Sequence, residues 1–322
     1  MKFKIVPIAG DASFRKFYRL VSEKKNKIII SAQQNKYQNL TAYVAINNFL
    51  RKNKILAPKL IDYNYAKGLI SIEDFGDNTF YQILLKKKNK LNIYKKIVNL
   101  LLKIQKIKPK RKIRNINNSF YIIEKYSKKY LLKESNLFFD WYLPLFLNKK
   151  KALNIKKKSN KILQKLYKKI DSSKSCFVHR DYHVKNLMSV GKKIAVIDTQ
   201  DALIGHPAYD LVSLIDDVRI RTSTKLKNQI YEYYVKKNSK VYKKNSYIFL
   251  KDFEILSVQR SLKIIGIFSR LFVRDKKNKY LKLLPYTWKL LEMRIKDGSF
   301  TEIREMLDKN ISKKIRKKKF FK

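Results

Sequence analysis

The run His179-Arg180-Asp181-Tyr182-His183-Val184-Lys185-Asn186 sets a carboxylate and an amide five residues apart, and a second carboxylate, Asp198, follows twelve residues later. Each type has its own job in moving a phosphoryl group. One carboxylate orients a hydroxyl nucleophile and takes its proton, while an amide oxygen and a second carboxylate hold Mg2+ on the phosphates of a nucleotide. Asp181, Asn186 and Asp198 fit these roles in that order. His-x-Asp alone occurs widely, and a loop bearing Asp and Asn between strands is common. The signal comes from the joint occurrence: an apolar run before the loop, Cys176–Val178, another after it, Ile194–Ile197, and Asp198 directly behind the second. His179 and His183 stand four apart, as a metal pair on a helix would. They follow a strand, however, and no third Cys, His or acidic ligand accompanies them at zinc-site spacing.

Something must position that loop. Phe3–Ile8, Phe17–Val21 and Lys27–Ser31 are short apolar runs separated by turns, which predicts the first three strands of an antiparallel sheet. The first turn, Gly10-Asp11-Ala12-Ser13-Phe14-Arg15-Lys16, is small and basic; it reads either as a cover for nucleotide phosphates or as an ordinary hairpin. Residues 37–50 have helical spacing, with Leu40, Tyr43, Val44 and Leu50 on one face. Pro58 and Asn64 punctuate the next stretch. Gly68 then introduces a strand ending in Glu73-Asp74-Phe75-Gly76-Asp77, where a boundary between two lobes is expected.

From about Thr79 the pattern is helical. Helices are expected over 91–107, 120–132, 137–147 with a kink at Pro144, 158–170, 247–272 and 281–294, and a last one opened by the capping box Ser299-Phe300-Thr301-Glu302. Pro207 suits the first turn of another helix, whose Asp210 is expected to be buried and bonded to backbone of the loop. Trp141 and Trp288 read as packing residues.

Three segments together, residues 179–188, Ile197-Asp198-Thr199-Gln200-Asp201-Ala202 and Gly205-His206-Pro207-Ala208-Tyr209-Asp210-Leu211, resemble the aminoglycoside phosphotransferase family. With the opening Gly10-Asp11-Ala12-Ser13-Phe14-Arg15-Lys16-Phe17-Tyr18-Arg19 and the Gln-Asp-Ala after Asp198, the likeness within that family is to its bacterial branch of N-acetylmuramate/N-acetylglucosamine 1-kinases of cell-wall sugar recycling. The resemblance covers residues 7–220. It implies an α+β, bilobal, protein-kinase-like fold, with a small antiparallel sheet lobe at residues 1–76 and a larger, mostly helical lobe at 77–312 carrying the loop. Residues 313–322 are left as a basic tail.

The same resemblance implies ATP and Mg2+ as cofactors, Asp181 as base, and Asn186 and Asp198 as metal ligands. It makes Gly10, Ser13, Phe14 and Arg15 the loop over the phosphates, and Glu73, Asp74 and Phe75 the hinge whose backbone meets adenine. His183, two residues after the base, or Lys185 then stands where developing charge is stabilised. Two departures stand out. Thr-Gln follows Asp198 where a protein kinase has Phe-Gly. The third strand has no central Lys and the helix after it no Glu, so the pair that grips the α- and β-phosphates is missing as a unit. Either Arg15 or another basic residue substitutes for it, or phosphate binding is weak.

The chain has 322 residues, 45% of them hydrophobic, enough for two lobes. A single cysteine, Cys176, excludes a disulfide framework. No apolar run reaches membrane-spanning length and Asp11 interrupts the N-terminus early, which predicts a cytoplasmic protein without an export signal. The net charge of +51 is spread over nearly every segment among Asn, Ile, Tyr and Phe, residues that share A/T-rich codons, so it points to codon composition rather than to a specific nucleic-acid partner. The basic tail reads as a solvated end, with weak contact to an anionic surface as the sharper alternative. The charge suits an anionic small-molecule substrate such as an amino sugar bearing a carboxylate, and disfavours polycationic aminoglycosides. Choline meets the same objection but stays as an alternative acceptor. A different class of function, a non-catalytic nucleotide- or polyanion-binding protein on a kinase scaffold, is motivated by the missing pair.

Overall fold

A small apolar face built on Ile30, Ile70 and Ile72 underlies the N-terminal sheet. A computed structural model describes residues 3–8, 15–23, 25–33, 38–116, 119–238 and 246–318. Strands β1 (Phe3–Ile8), β2 (Lys16–Ser22), β3 (Lys27–Ser31), β4 (Leu60–Asn64) and β5 (Leu69–Glu73) form one antiparallel sheet in the order β1-β2-β3-β5-β4. Register sets Phe17 opposite Ile30 and Ile30 opposite Ile70, and in the neighbouring row Arg19 opposite Ile28 and Ile28 opposite Ile72. A cross-strand row of β-branched and aromatic side chains is the stabilising unit of such a sheet. This face packs on helix α1 (Gln38–Lys52), which contributes Leu40, Tyr43 and Val44 to the cluster.

The strand β4 is absent from the sequence expectation. It lies at a sheet edge, four of its five residues are exposed, and its register slips between Leu60 and Asp62. An edge strand with an irregular pairing and no clean alternation gives little period-two signal. Gly68 turns the chain into β5 at φ +63°, its carbonyl accepting the N–H of Ala32 at 2.9 Å.

Beyond Glu73 the chain leaves the sheet, and Thr79 opens helix α2 (Phe80–Lys86) through a reciprocal capping box with Gln82. Helix α3 (Leu91–Gln105) buries Tyr94, Ile97, Val98, Leu101 and Ile104, the face its spacing predicts. A helix expected over 120–132 is instead a strand and a later helix. Phe120–Ile122 is β7, paired with β6 (Lys112–Arg114), and α4 (Lys128–Leu137) begins only where the Ser127 side chain caps it.

Strand β8 (Cys176–Val178) pairs with β11 (Leu203–Gly205), and between them β9 (Leu187–Val190) and β10 (Lys193–Val196) form a hairpin turned at Gly191. By compactness the chain divides into two units, one of Met1–Lys125 with Ser175–Asp210, the other of Tyr126–Lys174 with Leu211–Lys322. The first unit therefore holds both the sheet and the loop with Asp181. The chain leaves the sheet at the end of β5, ahead of the Thr79 cap, and the compact units divide elsewhere.

The second unit is helical. After α4 the chain passes through a π-helical turn (Phe138–Tyr142) and a 3-10 turn (Leu143–Leu145) containing Pro144, so the expected 137–147 helix is cut short, and α5 (Lys149–Lys168) follows. Helix α6 (Ala208–Ile215) leads on to α7 (Thr224–Lys237), α8 (Ser246–Val273), α9 (Leu284–Arg294), α10 (Thr301–Asn310) and α11 (Lys313–Arg316). Trp288 is buried and donates to the Tyr142 hydroxyl at 2.9 Å, as a packing residue should.

Two expectations for this unit are corrected. The Ser299 capping box does not form, because Asp297 takes the Ser299 N–H and Ser299 itself lies inside a 3-10 turn. The tail is not wholly solvated: Arg316 is buried, hydrogen-bonded to Glu292 at 3.0 Å and ion-paired with Asp308 at 2.7 Å, with its guanidinium 5.1 Å from the Trp288 ring centre. Two carboxylates and an aromatic face compensate the desolvation of a guanidinium well enough to bury it. No helix among the described residues is long and apolar enough to cross a membrane.

Candidate active site

The buried strand β8 delivers the chain into the loop, and two backbone bonds fix how it leaves. The N–H groups of His179 and Arg180 both donate to the buried Asp210 carboxylate, at 2.7 and 2.9 Å. Arg180 takes φ +71°, a conformation unusual for a side chain-bearing residue that persists where the surroundings over-determine it. Burial pushes the Asp210 carboxyl up to about 6, against the pull of His179 and the two N–H donors. Tyr182 anchors the loop from the other side, its buried hydroxyl donating to the Ile97 carbonyl at 2.9 Å.

Two hydrogen bonds to backbone carbonyls tie Asp181 to Asn186 and Asn186 to Ile197, the residue before Asp198. The Asn186 amide nitrogen donates to the Asp181 carbonyl at 3.1 Å, and the Asn186 carbonyl accepts the Ile197 N–H at 3.0 Å. Asp198 comes next, at φ +61°. The imidazole of His179 lies 3.0 Å from the Ile197 carbonyl and ties the same two segments. With its nitrogen committed to the backbone, the Asn186 side chain keeps its oxygen as the end that can meet a cation.

Arg15 Nη2 donates to Asp198 Oδ1 at 2.8 Å, with 5% of the Arg15 side chain and 36% of the Asp198 side chain exposed. The guanidinium lies 5.5 Å from the ring centre of Phe17 and 6.0 Å from that of Tyr43. Burial, together with the charge of Asp198, pushes the Tyr43 hydroxyl up to about 12, so this wall stays neutral. Gln200 donates one amide nitrogen to both Asp198 Oδ1 (3.2 Å) and Asp201 Oδ2 (2.8 Å), and Arg180 donates to the Asp201 carbonyl at 3.0 Å.

The other sequence candidates are placed as follows. Gly10, Ser13 and Phe14 lie outside the described residues. His183 is 4% exposed, with its Nε2 3.4 Å from the Asn186 amide nitrogen, and Lys185 Nζ lies 5.3 Å from the Tyr81 ring centre. Glu73 faces Arg51 and the Lys59 N–H, each at 3.4 Å, and Phe75 is half-buried. Asp74 is held by Arg19, at 2.6 and 3.2 Å. Neither Arg19 nor Gln200 was given a role from the sequence. Both stand within stretches that carry the resemblance, Arg19 at the end of the one that opens at Gly10 and Gln200 just after Asp198.

Among the described residues no cluster of three or more His, Cys, Asp or Glu could hold a metal by itself. Mg2+ bound to a nucleotide takes most of its ligands from phosphate oxygens and water and needs only one or two from protein. The oxygen donors of Asn186 and Asp198 fit that requirement.

The solved structure of the ADP-bound aminoglycoside phosphotransferase APH(2'')-Ib matches this chain at TM-score 0.60 and 12% identity, covering 92% of this chain and 94% of that one. The fold is thus α+β and protein-kinase-like, with a five-stranded antiparallel sheet and a mostly helical C-terminal part. Residues 4–240 match the phosphotransferase enzyme family, and the chain belongs to it. It is a phosphotransferase acting on an alcohol group. Among similar proteins, the N-acetylmuramate/N-acetylglucosamine kinase of Caulobacter vibrioides is 26% identical over 275 residues, 84% of this chain and 74% of that protein. The protein of the same name from Pseudomonas aeruginosa is 25% identical over 308 residues, 94% of this chain and 88% of its own length.

Proposed function

We propose that this small-molecule kinase transfers the γ-phosphoryl group of ATP to the anomeric hydroxyl of N-acetylmuramate or N-acetylglucosamine, in the cytoplasm, as a step of cell-wall sugar recycling. The observation that carries the reading is that hydrogen bonds through backbone carbonyls tie Asp181 to Asn186 and Asn186 to Ile197, next to Asp198, whose carboxylate holds Arg15. The names of the relatives at about 25% identity support the amino-sugar acceptor. The net charge of +51 favours the muramate, which carries a carboxylate, over a cationic acceptor such as choline.

In this reading residues 1–76 form the nucleotide lobe, 77–312 the helical lobe, and 313–322 the basic tail. Asp181 orients the sugar hydroxyl and accepts its proton as the new O–P bond forms and the bond from the γ-phosphorus to the bridging oxygen breaks, releasing ADP. Asn186 and Asp198 hold Mg2+, which when bound neutralises phosphate charge. Arg15 supplies a fixed cation beside the same phosphates, in place of the central Lys that β3 lacks. His183 braces Asn186, and the Glu73–Phe75 backbone receives adenine.

The absence of a Lys from the centre and end of β3 and of Glu from α1 favours a second reading, a protein that binds nucleotide without transferring phosphate. Following ADP release and sugar phosphate by 31P NMR, with N-acetylmuramate, N-acetylglucosamine and choline in parallel, separates the two. The kinase reading expects a sugar 1-phosphate, lost in Asp181→Asn while nucleotide still binds. Nucleotide binding with no phosphorylated acceptor would leave the second reading standing.

A further inference from the structure

Strand β2 and the residue before it carry Arg15, Phe17 and Arg19 at alternate positions, so the three follow one face of an extended chain. Phe17 packs on the sheet core beneath α1, and Arg15 lies beside its ring. Four residues of extended chain put the two arginines about 13 Å apart. Arg15 ends on Asp198. Arg19 ends on the segment that follows β5.

There the guanidinium grips two carboxylates. Its Nε and Nη2 donate to Asp74 at 2.6 and 3.2 Å, and its Nη1 and Nη2 donate to Asp77, both at 2.9 Å. Asp74 Oδ1 also accepts the Gly76 N–H at 2.8 Å, with Gly76 at φ +77°. The Asp74 side chain is 6% exposed and that of Asp77 is 78% exposed, so Asp74 is the partner that screening weakens least. The sheet ladder stops at Glu73, opposite Lys27. Residues 74–77 lie beyond it, and their order comes from the arginine fork and the Asp74 turn.

We propose that Arg19 is a positioning residue for nucleobase recognition: by gripping Asp74 and Asp77 it fixes the backbone around Phe75 at which the base is read. The inference rests on the nucleotide-binding reading of the site and adds a division of labour along β2. Arg15 serves the triphosphate end and Arg19 the base end. An arginine that merely stapled the sheet would affect all ligands alike.

The test is titration of the full-length protein with ATP and with inorganic triphosphate, both with Mg2+, by calorimetry. Arg19→Ala is expected to weaken ATP about tenfold and leave triphosphate within about twofold, whereas Arg15→Ala weakens both. Arg19→Lys should not restore the base contribution, because an ammonium cannot reproduce the bidentate fork. Asp74→Asn should copy Arg19→Ala more closely than Asp77→Asn does, and it serves if Arg19→Ala fails to fold. An unchanged ratio of ATP to triphosphate affinity in folded Arg19→Ala or Asp74→Asn overturns the inference. ATP binding by the wild type without sugar phosphorylation removes the kinase reading and leaves this one intact. A wild type that binds no ATP removes both.

Discussion

Asp210 Oδ2 accepts the backbone N–H of His179 at 2.7 Å, and its other oxygen takes the next N–H along the chain. A carboxylate from the first turn of α6 thereby sets the direction in which the loop leaves β8. The left-handed turn at Arg180 sits directly on this splint, one residue before Asp181. The backbone that leads into Asp181 is thus held by a side chain distant in sequence.

Replacing Asp210 by Asn keeps the shape but turns an amide N–H₂ toward one of the two donors. That leaves a buried N–H without an acceptor, at a cost of about 2–3 kcal/mol. Asp210→Asn should unfold at lower denaturant concentration and turn over more slowly, with the KM for the acceptor little changed. A variant as stable and active as the wild type would show that the splint is dispensable.

The same group gives a pH dependence whose sign can be worked out. Burial raises its carboxyl to about 6 in the folded protein, against about 4 in an unfolded chain. Between these values the folded state binds more protons, so this group's contribution is full below about pH 4 and is lost as pH rises through about 6. Urea unfolding at a series of pH values should show the stability of the wild type relative to Asp210→Asn declining across that window and levelling above it.

Asp216 behaves in the opposite sense. Burial alone would raise its carboxyl, but Lys227 at 3.0 Å and Arg294 at 3.0 and 3.1 Å, with the Ser257 hydroxyl at 2.7 Å, outweigh burial and hold it well below the ordinary carboxylate range. Its contribution is present above about pH 4 and is lost as pH falls through its lowered value. Asp216→Ala strands two cations, one of them buried, at a cost of about 3–5 kcal/mol. A large fall in melting temperature at neutral pH, shrinking below pH 4, is the expected result.

Gly266 in α8 tests packing rather than charge. A Cβ built there would stand 2.2 Å from the Leu137 carbonyl carbon and 2.5 Å from Phe138 N, both backbone atoms that cannot swing aside. Gly266→Ala should destabilise by about 2–3 kcal/mol or more. Gly191→Ala is the contrast: its φ of +55° strains a side chain, but no atom lies within 4 Å, and about 1–2 kcal/mol is expected. Thermal unfolding of the two variants should rank them in that order.

What the sequence made legible follows from how local each cause is. Strands β1 to β3 and the buried faces of α1 and α3 could be read because period and turn residues lie within a few positions of one another. The loop from His179 to Asn186 could be placed between strands because an apolar run, Cys176–Val178, leads into it. Asp210 could be anticipated because a carboxylate among Tyr209, Leu211 and Leu214 must find donors. Residues 120–132 misled because Tyr121, Ile122 and Leu132 imitate a helical face, and only Ser127 marks where the helix starts. The partners of Arg19 lie 55 and 58 residues away and those of Arg316 fall in two other helices, so no local pattern could disclose them.

Arg15 carries the last prediction. Its side chain is buried between Phe17, Tyr43 and Asp198, so its charge is both desolvated and held in place. A fixed cation in such surroundings acts on phosphate charge more strongly than a mobile one at the surface. Arg15→Ala removes that charge and leaves Asp198 with Gln200 as its remaining hydrogen-bond donor of the two described above. Turnover should fall about 100-fold, and more Mg2+ should be needed for half-maximal rate. Arg15→Lys keeps the charge but has one ammonium where the guanidinium offered a planar fork, so it should recover only part of the loss. Steady-state rates across a Mg2+ titration check both. Full activity of Arg15→Ala at the wild-type Mg2+ requirement would move the phosphate-gripping cation to another residue.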